Sequence, residues 1–269
     1  MKNKNTAEMT AQELYIKEQR IHKRTVSLSR FFIFVVFLIV WETASDLGWI
    51  DSFFFSSPSR VIICAYQMLL DGSLPVHIGI TLLETLLSFF LVFVLGISLA
   101  LLLWSSDKLS EILEPYLVVL NSLPKSALAP LLIVWLGTGM KTIIVAGISV
   151  AIFGSVISLY TGFHEVDKNK LILIRTLGGT KKDCLTKVVL PSSIPTIIST
   201  IKVNIGLALV GVIIGEFLAA RRGLGYLIIY GSQVFQLHMV IMSIILLCII
   251  ALALYQGIQV LEKIYKRHI

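Results

Sequence analysis

The sequence predicts an all-α, polytopic membrane protein with about six transmembrane helices and one cytosolic helical loop. Three observations predict it: composition, the spacing of the apolar runs and the placement of the charges. Of 269 residues, 56% are hydrophobic and 14% charged, and the mean hydropathy is +0.88, far above that of a water-soluble domain. A helix needs roughly 20 mainly apolar residues to cross a hydrocarbon core about 30 Å thick. Six stretches meet that need, approximately Phe31 to Trp49, His77 to Trp104, Ile112 to Leu136, Thr142 to Gly162, Ile194 to Ala220 and Met239 to Ile264.

The charges orient these spans. The net charge is +7 and the isoelectric point about 9.3, values that by themselves suit a nucleic-acid partner. The basic residues, however, fall into three clusters: Lys2, Lys4, Lys17, Arg20, Lys23, Arg24 and Arg30; six residues between Lys168 and Lys187; and Lys263, Lys266 and Arg267. A six-span chain puts all three on one side, and the opposite loops hold only Arg60, Lys141, Arg221 and Arg222. The positive-inside rule therefore predicts that both termini and the loop 163–193 are cytosolic. The charge is topological, and no nucleic-acid partner is expected.

Taken in order, residues 1–30 read as a cytosolic tail, in which Ala7 to Arg24 is either a charged helix on the membrane surface or a solvated segment. Residues 31–269 read as the transmembrane domain. The first apolar run ends in WETASDLGW without a small-residue cleavage site, so it reads as a retained span. In the external loop that follows, Pro58 opens a short amphipathic helix and Asp71-Gly72 closes a turn. Pro115, Pro124 and Pro130 predict a bent, protein-packed third span. Small residues recur at helical spacing in span four (Gly147, Ala151, Gly154, Ser155, Ser158) and span five (Ala208, Gly211, Gly215, Ala219). They serve helix packing within the subunit, or line a path or dimer seam.

Between Phe163 and Pro191 the chain mixes Lys and Arg with Leu171, Ile172, Leu173, Ile174 and Leu177. A short helix here carries an apolar ridge too short to span and too apolar to stay wet, which points to a protein partner. Gly178 and Gly179 permit a turn, a second helix from Lys181 to Val189 returns to the membrane, and Pro191, Ser192, Ser193 and Pro195 suit the start of span five. An ordinary cytosolic loop is the plain alternative.

The segment RTLGGTKKDCLTKVVLPSSIP, Arg175 to Pro195, places nine residues between Gly178 and Val188-x-Leu190-Pro191. It resembles the coupling motif of binding-protein-dependent ABC importer permeases, in particular the nitrate, sulfonate and taurine group. LPKSALAPLLIVWLGTG (Leu123 to Gly139), GVIIGEFLAARRGLGYLI (Gly211 to Ile228) and Trp41-Glu42 followed by SPSRV extend the resemblance over nearly the whole chain after residue 30. The resemblance implies a type I importer permease, working as a homodimer of this chain or as a pseudo-dimer with a second permease, with a cytosolic ABC ATPase dimer that binds Mg-ATP and an extracytoplasmic substrate-binding protein. The chain itself is expected to be no enzyme and to hold no cofactor or metal, in a bacterial inner membrane. Its solute is expected to be a sulfonate, taurine, nitrate or a vitamin precursor.

The coupling residues it implies are Leu171, Ile174, Arg175, Leu177, Gly178, Gly179, Thr180, Val188, Leu190 and Pro191. The sequence departs from the motif where glutamate-alanine-alanine is replaced by Ile172-Leu173-Ile174, which suggests a more apolar grip on the ATPase. It departs again at Glu84 in TLLETLLS, where relatives commonly carry arginine; the reversal argues against carrying an anionic substrate over.

Ionisable groups inside a membrane are expensive and often functional. Glu84, Lys125, Lys202 and Glu216 are such groups. Glu84 is expected to reach the outer interface, Lys125 and Lys202 to extend toward the cytosol, and Glu216 to pair with Arg221 or Arg222, as a gate support or a plain ion pair. Asn204 is a candidate pore residue or an interhelical hydrogen-bonding group. With Gly211, Gly215, Gly223 and Gly225 these complete the candidate translocation and gate set (Glu84, Lys125, Asn204 and Glu216 being the polar members).

GTGMKT at Gly137 to Thr142 lacks phosphate-loop spacing and lies outside. Cys64, Cys184 and Cys248 fall at different depths and are not expected to pair. His22, His77, His164, His238 and His268 are scattered and form no metal spacing. An ion-coupled secondary carrier, which would use broken helices and often inverted repeats, and a membrane enzyme or scaffold remain the alternatives.

Overall fold

The computed structural model describes residues 11–51 and 55–267, and among these it is helical with no strand. Lys2, Lys4, His268 and the start of the Ala7 to Arg24 segment lie outside the described residues. The chain divides into two units, residues 1–63 and 64–269.

In the first unit, α1 (Ala11–Asp46) is a single helix that carries the basic leader continuously into the first apolar run. Its large apolar side chains from Phe31 to Val40 are mostly exposed, as a hydrocarbon-facing segment requires. The Glu42 carboxylate accepts hydrogen bonds from the Ser59 hydroxyl at 2.7 Å and the Ser59 N–H at 3.0 Å. This bond connects the Trp41-Glu42 pair to the SPSRV segment, two stretches that in the sequence are only neighbours. Pro58 is the first residue of α2 (Pro58–Leu70).

The second unit is the helical bundle. It contains α3 (Ser73–Ser105), α4 (Asp107–Ser122), α5 (Lys125–Leu136), α6 (Met140–His164) and α7 (Lys168–Thr176). A short α8 (Lys181–Cys184) follows, continued by a π-helical turn (Leu185–Val189) and α9 (Leu190–Ser192). Then come α10 (Ile194–Ala219), α11 (Leu224–Gln233) and α12 (Leu237–Arg267). Among the described residues, five helices (α1, α3, α6, α10 and α12) are long and apolar enough to span, and α4 and α5 meet the same test only when taken together as a bent pair.

That pair is bent by 96°, far beyond a proline kink in one continuous span. The break falls at Leu123-Pro124: the residue before proline is driven out of the helical region, and Leu123 is extended at φ −62, ψ 138. Pro115 and Pro130 sit inside their helices without breaking them. The carbonyls freed at the break are met by Lys125, whose Nζ donates to the Leu120 and Asn121 oxygens, both at 2.6 Å. Lys125 thus ties down its own helix break.

The core is α6, packed chiefly against α10 and α3. Close approach of α6 and α10 explains the small residues. A Cβ on Gly211 would lie 2.7 Å from the Gly147 Cα, and one on Gly215 would lie 2.9 Å from the Ile143 Cα. Span-five Lys202 is paired with Glu262 of α12, with both side chains largely buried, so it too is held within the bundle. Helix α11, inside what the sequence presents as an outer loop, was not expected. It packs on α12, α10 and α3, with Leu224 and Leu227 buried.

Candidate functional site

Two constellations flank the bundle. At one end, α7 ends in a Schellman motif: the Gly179 N–H reaches the Ile174 carbonyl (2.9 Å), the Gly178 N–H the Arg175 carbonyl (3.0 Å), and Gly178 adopts φ +82. Only glycine takes that left-handed position without steric cost, which explains its place in the motif. The chain restarts at once. Thr180 caps α8 through its hydroxyl while the Asp183 carboxylate bonds back to the Thr180 N–H (2.9 Å), a capping box. The Thr180 hydroxyl, the Thr180 N–H and then Lys187, 3.1 Å away, hold the Asp183 carboxyl well below the ordinary carboxylate range. Two helices are therefore joined at a sharp, rigid corner.

The corner sits on an apolar foundation. Val188, Val189 and Cys184 are buried with Ala100, Trp104, Leu159, Phe163 and Val166, and Leu171, Ile174, Leu185 and Leu190 pack against them. Lys181 donates to the Ser105 carbonyl at 2.9 Å and lies over the Trp104 ring, tying the corner to the end of α3. Of the expected coupling residues, Leu171, Ile174, Val188 and Leu190 pack into this foundation, Leu171 and Ile174 because a helix places residues three apart on one face. Arg175, Leu177, Gly178, Thr180 and Pro191 are exposed and Gly179 is half-buried. The large apolar groups that remain open are Ile172, Leu173 and Leu177. Ile172 and Leu173, which in the sequence stand where the motif carries glutamate and alanine, are both exposed.

At the other end, the chain leaves α10 and folds back around Glu216. The Glu216 carboxylate accepts from the Thr81 hydroxyl (2.7 Å) and the Gly225 N–H (2.6 Å). Thr81 in turn accepts from the Leu224 N–H (2.8 Å), and His77 Nδ1 accepts from the Gly223 N–H (2.9 Å). His77 also stacks on Tyr226. Gly223 has φ +120, and a Cβ there would overlap the Glu216 carboxylate; a Cβ on Gly225 would come within 2.9 Å of Glu216. Both glycines are thus required by close approach.

Two expectations fail at this end. Glu216 is 1% exposed and pairs with no arginine, since the turn places Arg221 and Arg222 on the outside while wrapping its backbone N–H groups around the carboxylate. Glu84 does not reach an interface: it is 3% exposed and its carboxyl is hydrogen-bonded to that of Glu216. His77 and Thr81, which hold the turn, had no signal beyond lying two turns and one turn, respectively, before Glu84.

Between the two ends, Asn204 is buried and donates to Ser155 at 2.8 Å, the interhelical hydrogen bond that was one of its two readings. It also lines a groove of about 260 Å³ with Gly154, Ser158, Thr196, Ser199 and Thr200, without a charged side chain. The three cysteines are free, and no group of His, Cys, Asp or Glu among the described residues is placed to hold a metal ion.

Residues 92–265 match the model of the binding-protein-dependent transport system inner membrane component family. A probable ABC transporter permease protein of Haemophilus influenzae is 32% identical over 83% of this chain and 90% of its own length. The taurine transport system permease protein TauC of Escherichia coli is 28% identical, covering 85% of each chain. Among solved structures, an inward-facing MetNI methionine ABC transporter chain superposes with a TM-score of 0.61 at 18% identity, over 71% of this chain and 95% of the other, which is a likeness of fold.

Proposed function

We propose, since this chain belongs to the family of inner-membrane components of binding-protein-dependent transport systems, that two copies of it form a path carrying a small polar solute inward. It is the permease subunit of an ABC importer, and ATP hydrolysis resides on a separate subunit. This membership displaces the secondary-carrier, enzyme and scaffold readings.

The observation that carries the mechanism is the corner at Gly178, rigid and rooted in the bundle core yet presenting Ile172, Leu173 and Leu177 outward. Each copy would seat this corner in one subunit of a cytosolic ATPase dimer. Mg-ATP bound by that partner would draw the two corners together, and the foundation of Trp104, Phe163 and Val189 would pass the displacement to α3, α6 and α10. Only contacts that differ between the ATP-bound and ATP-free arrangements shift such an equilibrium. A rigid corner transmits those differences. The basic clusters support cytosolic termini in a bacterial inner membrane.

The solute path is assigned to the groove beside Asn204. Its hydroxyl and amide lining suits a neutral or zwitterionic hydrogen-bonding solute, such as taurine or a vitamin precursor, better than nitrate. An external binding protein would deliver it.

The test is Gly178→Trp in the complex reconstituted with its ATPase and binding protein. ATP-driven uptake falls at least about tenfold while the permease still assembles in the membrane. Unchanged uptake with normal assembly rejects the coupling role.

A further inference from the structure

We infer that Glu84 is a positioning residue that carries a proton and donates it in a hydrogen bond to the Glu216 carboxylate, fastening the 220–225 turn to α3. The two carboxyl groups lie on different helices, and both side chains are buried. They contact one another as hydrogen-bonding partners. A carboxylate has no donor, so such a contact exists only if one of the two groups holds a proton.

The surroundings decide which. Glu216 already receives the Thr81 hydroxyl, the Gly225 N–H and the Tyr226 N–H, donors that suit an ionised acceptor. No donor is directed at Glu84: its Oε2 is buried without a partner, as is the neighbouring Thr85 Oγ1. The proton therefore belongs to Glu84, and the pair carries a single negative charge.

The other titratable and charged side chains at this end are Asp71 just before α3, His77 on α3, Lys141 at the start of α6, Arg221 and Arg222 on the turn, Tyr226 and Tyr230 on α11, and His238 on α12. Lys141, Arg221 and Arg222 are exposed and form no ion pair with either carboxyl. His77 is occupied with Gly223. With no cation in contact, a second negative charge would have no compensation, and losing the proton would push the turn away from α3.

The experiment uses the full-length permease purified in detergent and needs no transported solute. Infrared spectra of the native chain should show the carbonyl band of a buried protonated carboxylic acid, lost in both Glu84→Gln and Glu84→Ala. Glutamine keeps a donor toward Glu216, so Glu84→Gln should unfold at a temperature close to the native value, whereas Glu84→Ala should not. The folded chain holds a proton that the unfolded chain releases above about pH 4, so this contribution to native stability should fall steadily as the pH is raised from there into the alkaline range, and Glu84→Gln should lack that fall. Absence of the band from the native chain, its survival in Glu84→Gln, or equal alkaline loss in the native chain and Glu84→Gln overturns the assignment. These readouts do not depend on transport, so a failed transport role and a failed proton assignment are separable.

Discussion

The corner at residues 177–183 and the turn at residues 220–225 are both glycine-bearing reversals between helices, yet they are built in opposite senses. The corner is held from within by apolar side chains and leaves its own apolar residues, Ile172, Leu173 and Leu177, outside. The turn is held by hydrogen bonds from its backbone to Glu216, Thr81 and His77 and sends its charged residues, Arg221 and Arg222, outside. A surface meant for a partner leaves sticky area uncovered. A closure meant to stay shut satisfies itself. The difference teaches that Gly178 at the corner serves conformation alone, at φ +82 with open space around it, whereas Gly223 in the turn serves both conformation, at φ +120, and proximity to Glu216.

The comparison can be broken most strongly at Gly223. Gly223→Ala combines an unfavourable φ with overlap on the Glu216 carboxylate, and should destabilise the purified permease by at least about 3 kcal/mol in thermal unfolding. Next is Thr81→Val, nearly isosteric, which leaves a Glu216 oxygen and the Leu224 N–H without their partner; a loss of about 2 kcal/mol is expected in the same assay. Neither change should alter ATPase binding directly.

The reverse pattern sharpens the contrast. Ile172→Asp combined with Leu173→Asp touches only exposed positions, so thermal unfolding should stay within about 0.5 kcal/mol of the parent. Affinity for the ATPase subunit, measured by titration in detergent, should weaken about tenfold or more. The smallest effect concerns Asp183. Its carboxyl is held below its ordinary value, so its capping contribution is complete above the unfolded value, about pH 4, and is lost as the pH falls further. Amide exchange at residues 180–184 should speed up on acidification in the native chain, with little pH response in Asp183→Asn.

Much of this was legible in the sequence because it depends on local chemistry. Apolar runs of spanning length, the Gly178 spacing and the helix-opening Pro58 act over a few residues. The bend between α4 and α5 was half legible: three prolines predicted distortion, but only Pro124 breaks the helix, where Lys125 stands ready to meet the free carbonyls. Glu84 and Glu216 were singled out as costly intramembrane charges, but their partners were misjudged. Arg221 and Arg222 are near Glu216 in sequence, and proximity along the chain favoured an ion pair that the fold does not make.

The sequence by itself determined that the chain is helical, crosses a membrane and turns sharply at Gly178, because hydropathy, helical period and backbone sterics are properties of short segments. Only the tertiary structure decided which side of α7 is covered, that the Gly211 and Gly215 face serves contact with α6, and that two acidic side chains meet at one end of the bundle. Those outcomes depend on how helices rotate against one another to remove voids and satisfy buried polar groups, and residues 132 positions apart, such as Glu84 and Glu216, carry no local sign of their meeting.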